Sequence, residues 1–213
     1  MNAAVLTRIR VISGTTEEVI QTIREVAKQQ RLSGLLETVL YHLPDKPDEI
    51  FALSMWDKLS NIPSLDEYYK KLVNQEILGK AEVVSRYTYR LIKEYRTVSA
   101  SIGASYLRLV TLQAVHSQEW ITQAVNTMAQ VKASGIGVGQ IGSWIGQRID
   151  DEQDEKTVSF IARHDWRSVE DQQAFQKNQL VREVRARTQA MGAEVEFASL
   201  DLAGLVRLEL EEV

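Results

Sequence analysis

The chain has 213 residues, 44% of them apolar and 25% charged, with eleven glycines, three prolines and no cysteine. This mixture belongs to globular proteins; it excludes collagen-like, Pro-rich or wholly disordered chains, and without cysteine there is no disulfide, thiolate zinc site, iron–sulfur cluster or thiol nucleophile. Twenty-five Lys and Arg stand against 29 Asp and Glu, a net charge of −4, which argues against nucleic acid and anionic membrane as main partners because both demand a concentrated basic face.

Val5 to Ile12 alternates, with Val5, Thr7, Ile9 and Val11 on one face, and is expected to be a strand. After Gly14, the run Thr15-Thr16-Glu17-Glu18 has the spacing of a capping box, and Val19, Ile20, Ile23, Val26 and Ala27 follow at helical intervals. Ser33-Gly34 ends this helix, and Leu35 to Leu43 is a second strand. Pro44 to Asp48 has the composition of a turn, and Ile50 to Trp56 is a third strand. Ser64 caps a second helix that carries Leu65, Tyr68, Tyr69 and Leu72, and Glu82 to Tyr95 closes the half as a long strand.

The same order then recurs. Tyr106 to Val115 is a strand, Ser117 caps a helix with Ile121, Ala124, Val125 and Met128, and Ser134-Gly135 ends it. Val138 to Ile149 is a strand, Asp150 to Glu155 an acidic turn, Val158 to Trp166 a strand, and Ser168 a helix cap. Glu194 to Leu200 returns as a strand that continues or pairs again through Leu205 to Leu210. Matched landmarks recur roughly 100 residues apart, the signature of an internal repeat.

Each half therefore reads as strand, helix, strand, strand, helix, strand, the ferredoxin-like βαββαβ order. The expected architecture is α+β: one ferredoxin-like domain over residues 1–96, a small-residue linker at 97–104, and a second domain over 105–213. Each antiparallel sheet has helices on one face and must cover its other face. Packing the two sheets on each other would close an intramolecular α+β barrel.

Trp56 and Trp166 end the third strand of each half, just before a capped helix, and Ser-Gly precedes the second strand both times. On these features the chain resembles the antibiotic biosynthesis monooxygenase type of dimeric α+β barrel, here duplicated in tandem. The resemblance implies two paired ferredoxin-like domains and a small hydrophobic ligand held between the sheet and the helices of one of them. Some members of that family oxidise quinols or polyketide phenols with O₂ and no bound cofactor. Others degrade haem, relying on a first-strand Asn, the third-strand Trp and a second-helix His. Here Val5 to Ile12 and Tyr106 to Val115 contain no Asn, and the segments after Ser64 and Ser168 contain no His. Only the tryptophans match, which disfavours haem degradation, and no cofactor is expected.

The expected function is a cofactor-independent monooxygenase-like oxidoreductase that acts on or binds a small aromatic or quinone-type molecule. The alternative is a non-catalytic ligand-binding or structural module on the same duplicated scaffold. Such oxygenation needs a group that deprotonates a phenol inside a confining site. His164 is the candidate base, because Phe160, Ala162, His164 and Trp166 share one strand face. Candidate ligand contacts are Trp166, Trp56, Tyr41, His42, Tyr69, Arg163 and Trp144. No metal site is expected, since His42, His116 and His164 lie in different elements without ligand spacing. The protein is expected in the cytoplasm, its start lacking the basic flank and apolar core of a signal peptide, as a monomeric pseudo-dimer or a homodimer, with neither nucleic acid nor membrane as partner.

Three further patterns receive structural readings. Gly137, Gly139 and Gly142 spell a dinucleotide fingerprint but run from a helix into a strand, the reverse of what phosphate binding requires. Their lost side chains could instead open space for a ligand. Arg182 to Arg187 mixes signs and reads as an exposed helical face, with one weak acceptor for an anion. Tyr87, Tyr89 and Tyr95 interleave with basic residues on the long strand, but Tyr87 and Tyr89 face away from Arg86 and Arg90.

Overall fold

The computed structural model describes residues 3–29, 32–43, 46–64, 79–96, 102–135, 137–150, 156–200 and 206–209. The chain divides into two compact units, Met1–Arg90 with Leu200–Val213, and Leu91–Ser199.

In the first unit the elements are β1 (Ala3–Val11), α1 (Thr16–Gln29), β2 (Leu35–Leu43), β3 (Lys46–Trp56) and β4 (Ala81–Arg96), of which the residues to Arg90 belong here. The strand order is β4-β1-β3-β2, and the C-terminal β9 (Val206–Glu209) adds outside β2. The pairs β1–β3, β1–β4, β2–β3 and β2–β9 are antiparallel.

The capping box forms as its spacing predicts. Glu18 N–H donates to Thr15 Oγ1 at 3.2 Å, and Thr15 N–H donates to Glu18 Oε2 at 3.0 Å. Two backbone donors that the helix start would otherwise leave unpaired are thereby satisfied. Val19 and Ile20 then bury against Ile9, Leu40, Ile50 and Ala52. The other face of this sheet is also covered, since Leu6, Val39, Tyr41, Phe51, Leu53 and Met55 are buried. Burial on both faces explains why Glu49 to Trp56 are all buried and read as a nearly continuous apolar run. β3 begins at Lys46, earlier than the apolar pattern indicates. Pro47 fits there because it lies beyond the last β1 partner pair, Arg10 with Glu49, where no ladder N–H is needed.

The second unit contains β5 (Ala104–Gln113), α2 (Ser117–Ser134), β6 (Gln140–Arg148), β7 (Thr157–Trp166), α3 (Val169–Gln176), α4 (Gln179–Ala190) and β8 (Glu194–Leu200). Its strand order is β8-β5-β7-β6, with β5 and β6 both antiparallel to β7.

Here local structure departs from the sequence expectation in four places. Ser117 is not a cap: Ala114–His116 form a 3₁₀ turn that runs straight into α2, so Ser117 is already helical (φ −59°, ψ −46°). The same turn ends β5 at Gln113 rather than Val115. β6 starts at Gln140 because Gly139 takes φ +83°, outside the strand region. The single helix expected after Ser168 is two: Ser168 Oγ accepts the Asp171 N–H at 3.1 Å to start α3. Asn178 then interrupts with extended backbone, and its Oδ1 accepts the Leu180 N–H at 2.9 Å to start α4. Gly135, at φ +67°, ends α2 in the left-handed conformation. Among the described residues no helix is long and apolar enough to cross a membrane.

Candidate functional site

In the second unit the sheet face turned to the helices is built by alternation. Tyr106, Arg108, Val110 and Leu112 on β5 stand opposite His164, Ala162, Phe160 and Val158 on β7. At the Val110–Phe160 level this face is closed by α2. Trp120 stacks on Phe160 with centroids 4.4 Å apart, beside Leu112 and Ile145. Towards Tyr106 and Trp166 the packing opens into a cleft between the sheet and α2, α3 and α4. Two adjoining chambers share Arg108, Thr127, His164, Phe175 and Val184, and hold about 510 and 520 Å³ of atom-free space counted out to their mouths. The first chamber reaches Trp120 and Ile145, the second Tyr106, Trp166 and Arg185.

His164 is held from β6. Its Nδ1 lies 2.8 Å from Ser143 Oγ, its direct partner across the ladder, and 3.1 Å from Gln140 Nε2. An amide nitrogen only donates, so Nδ1 accepts, and the proton of the neutral ring sits on Nε2. Burial, reinforced by the nearby Arg108 charge, lowers the His164 pKa from 6.5 to about 4. The ring is therefore neutral at pH 7. The Tyr106 ring stands 6.0 Å from it, centroid to centroid and tilted by 32°. Burial raises the Tyr106 pKa, with Arg185 and Arg108 pulling the other way. Burial also lowers the Arg108 pKa, opposed by Tyr106 and assisted by Arg185. Among the described residues no Asp or Glu lines either chamber.

Of the residues singled out from sequence, the structure brings His164 and Trp166 together. Trp166 is buried, packs at 4.7 Å on Phe175 of α3, and lines the second chamber. Arg163 does not join them. Adjacent strand residues face opposite ways, and Arg163 lies wholly buried on the far face, where its Nε donates to Asp165 Oδ1 at 2.8 Å. Ser105 Oγ donates to the same oxygen at 2.7 Å. Trp144 pairs with Arg163 across β6–β7 and shares that far face, buried away from the cleft.

In the first unit, Trp56 is core, packed with Ala3, Val5, Leu35 and Leu59. Tyr41 is buried and pairs with Phe51, on the sheet face away from α1. The backbone of His42 pairs with Ile50 in β2, while its side chain lies outside the described residues, as does the whole of Tyr69. The glycines 137 and 139 do not open space for a ligand. A side chain at Gly139 would run into Asp171, and one at Gly137 would meet Val131 Cγ1 at 2.7 Å. Their role is to let the turn approach α2 and α3 closely. Among the described residues no group of three or more His, Asp and Glu could hold a metal ion.

Sequence reasoning passed over Arg108, Tyr106, Ser143 and Gln140, and it read Arg185 as part of an exposed helical face, whereas Arg185 is half-buried and lines the second chamber. Arg108 had left a signal: it interrupts the apolar side of β5 between Tyr106 and Val110. Arg185 had left a weaker one, one helical turn beyond Val181 and beside Val184, both buried, on the stripe that α4 turns inward.

No family model and no curated protein matches this sequence. Solved structures match its fold. A candidate monooxygenase from Fusobacterium nucleatum subsp. nucleatum superposes with a TM-score of 0.69 at 8% identity, covering 98% of each chain. An anthrone oxidase-like protein gives 0.62 at 10% identity, covering 100% of this chain and 95% of that one. A ferredoxin-fold protein related to antibiotic biosynthesis monooxygenases, from Listeria monocytogenes, gives 0.52 at 8% identity, covering 92% of this chain and 94% of that one. At these identities the likeness is one of fold: an α+β, ferredoxin-like fold shared with monooxygenase-type proteins.

Proposed function

We propose that this protein is a monooxygenase-like oxidoreductase working without a bound cofactor, and that the cleft of the second unit receives a small aromatic or quinone-type substrate. The observation that carries the reading is the cleft itself. Rings of Trp120, Trp166, Phe175 and Tyr106 wall it, while Arg108, Arg185 and His164 supply a few polar groups at one end. Apolar walls with a few placed polar groups are the usual make-up of a small-molecule site. In the chemistry proposed, an activated ring methylene reacts with O₂. One oxygen atom becomes the new carbonyl oxygen, the other leaves as water with the two methylene hydrogens, and the substrate supplies all the electrons.

His164 serves this scheme as a positioning donor rather than as a base. Its Nδ1 is taken by Ser143 and Gln140, which leaves Nε2–H for an oxygen of the substrate. Arg108 and Arg185 would stabilise the substrate oxyanion as it forms. The first unit packs its matching face with Ile50, Ala52 and Trp56 in apolar clusters, so the chemistry is assigned to the second.

The same reading takes residues 1–96 and 105–213 as tandem copies of one βαββαβ domain. Two observations support it: the orders β4-β1-β3-β2 and β8-β5-β7-β6, and apolar burial on both faces of the first unit's sheet.

The test is O₂ uptake with anthrone and a panel of hydroquinones, comparing the protein with His164→Gln and Arg108→Gln. Turnover that falls in the variants supports the assignment. Background rates in all three overturn it and leave the second reading, a binding protein without chemistry. That reading draws on a specific observation: among the described residues no carboxylate lines the cleft, and its histidine, His164, is a weak base.

A further inference from the structure

The polar groups of the cleft are unequal in kind. Arg108 and Arg185 line the second chamber together, and a guanidinium can only donate hydrogen bonds. His164 accepts at Nδ1 and so presents a donor at Nε2. The remaining lining hydroxyls on the helices are committed to the backbone: Thr127 donates to the Gln123 carbonyl at 2.7 Å and Thr188 to the Val184 carbonyl at 2.9 Å. Among the described residues no carboxylate side chain lines either chamber. The lining thus carries two guanidinium groups, with Arg185 hydrogen-bonded to the Tyr106 hydroxyl, and the amides of Gln123, Gln140, Gln172 and Gln176, set among aromatic and aliphatic walls.

We infer that the ligand of this cleft is an aromatic acid, a flat ring system carrying an oxyanion on one edge, seated with that edge between Arg108 and Arg185. The inference rests on reading the cleft as an aromatic-ligand site and adds the charge of what it takes. In a poorly hydrated site the attraction between a guanidinium and an oxyanion is stronger than in water. The fork of an Arg also matches two oxygens of one carboxylate. A neutral ring of equal size would gain the apolar contacts with Trp166 and Phe175 but not the attraction of the two guanidinium charges. A cationic ring would be repelled.

The experiment is calorimetric titration of the full chain at pH 7 with 2-naphthoate and with its neutral counterpart 2-naphthamide, in parallel. The acid should bind about tenfold or more tightly than the amide. In Arg185→Gln, whose site on α4 is partly exposed, that preference should fall at least about fivefold, the acid losing more affinity than the amide. Arg108→Gln, checked for native circular dichroism, should do the same. A third titrant, 2,4-dinitrophenolate, which is ionised at pH 7, separates the sources of the charge: binding comparable to naphthoate shows that an ionised phenol satisfies the site, and failure beside a tight naphthoate assigns a carboxylate. Equal binding of acid and amide overturns the inference and leaves the aromatic site standing. Binding of neither to the folded protein overturns the aromatic site and the inference with it.

Discussion

Ser143 and His164 are direct partners across the β6–β7 ladder, and the serine Oγ sits 2.8 Å from His164 Nδ1. With Gln140 donating to the same nitrogen at 3.1 Å, the imidazole is fixed in orientation and tautomer by its neighbour strand. Its pKa in the folded chain is about 4, below the 6.5 of an exposed histidine. The unfolded chain therefore binds more protons between those values, and stability must fall as pH drops from about 6.5 to about 4. The full loss is on the order of 3 kcal/mol. Urea unfolding at pH 7, 5 and 4 should show this decline, and His164→Gln should flatten it. An unchanged slope in the variant would count against a neutral, buried imidazole.

On the far face of the same strand, Arg163 and Asp165 form a buried pair, with the Ser105 hydroxyl on the same carboxylate oxygen. Removing one charge of such a pair strands the other in a medium that solvates it poorly. Asp165→Asn should cost about 3 kcal/mol in urea unfolding, and the double variant Arg163→Met, Asp165→Leu should recover most of that loss. Losses in the double variant that equal or exceed the single one would contradict this account.

Gly139 and Gly135 both take positive φ, +83° and +67°, but only Gly139 has a neighbour where a side chain would go. Gly135→Ala should cost about 1 kcal/mol, the price of a left-handed alanine in open space. Gly139→Ala adds a collision with Asp171, which belongs to the first turn of α3. It should cost about 2–3 kcal/mol. The two midpoints of thermal unfolding, measured side by side, decide it.

The helix starts separate cleanly. Thr15→Ala and Ser168→Ala each remove a hydroxyl that accepts a backbone N–H, and each should cost about 1 kcal/mol. Ser117→Ala removes no cap and should stay within about 0.5 kcal/mol of the parent. Chemical unfolding of the three variants would expose a wrong assignment at Ser117 at once.

The order of elements was legible because it is written in periods and punctuation: Thr15 with Glu18, Ser168, and alternation along β7 act over a few residues. Face was legible for the same reason, and so His164 and Trp166 were paired correctly on one side of the strand. Arg163 was misplaced by the very rule that placed His164, since neighbours on a strand point apart. Ser117 looked like a cap because a serine before a helical run usually is one; the preceding 3₁₀ turn is visible only in backbone angles.

The sequence by itself determined the composition limits, the α+β class and the register of each strand's faces, because those depend on local spacing and on the chemistry of single side chains. Only the tertiary structure decided where the cleft opens and what lines it. Arg185 lies 77 positions beyond Arg108 by their own numbering, on a different element, and the two share a chamber only because α4 packs over β5 and β7. The charge of that chamber is a sum over residues distant in sequence, and no local pattern records it.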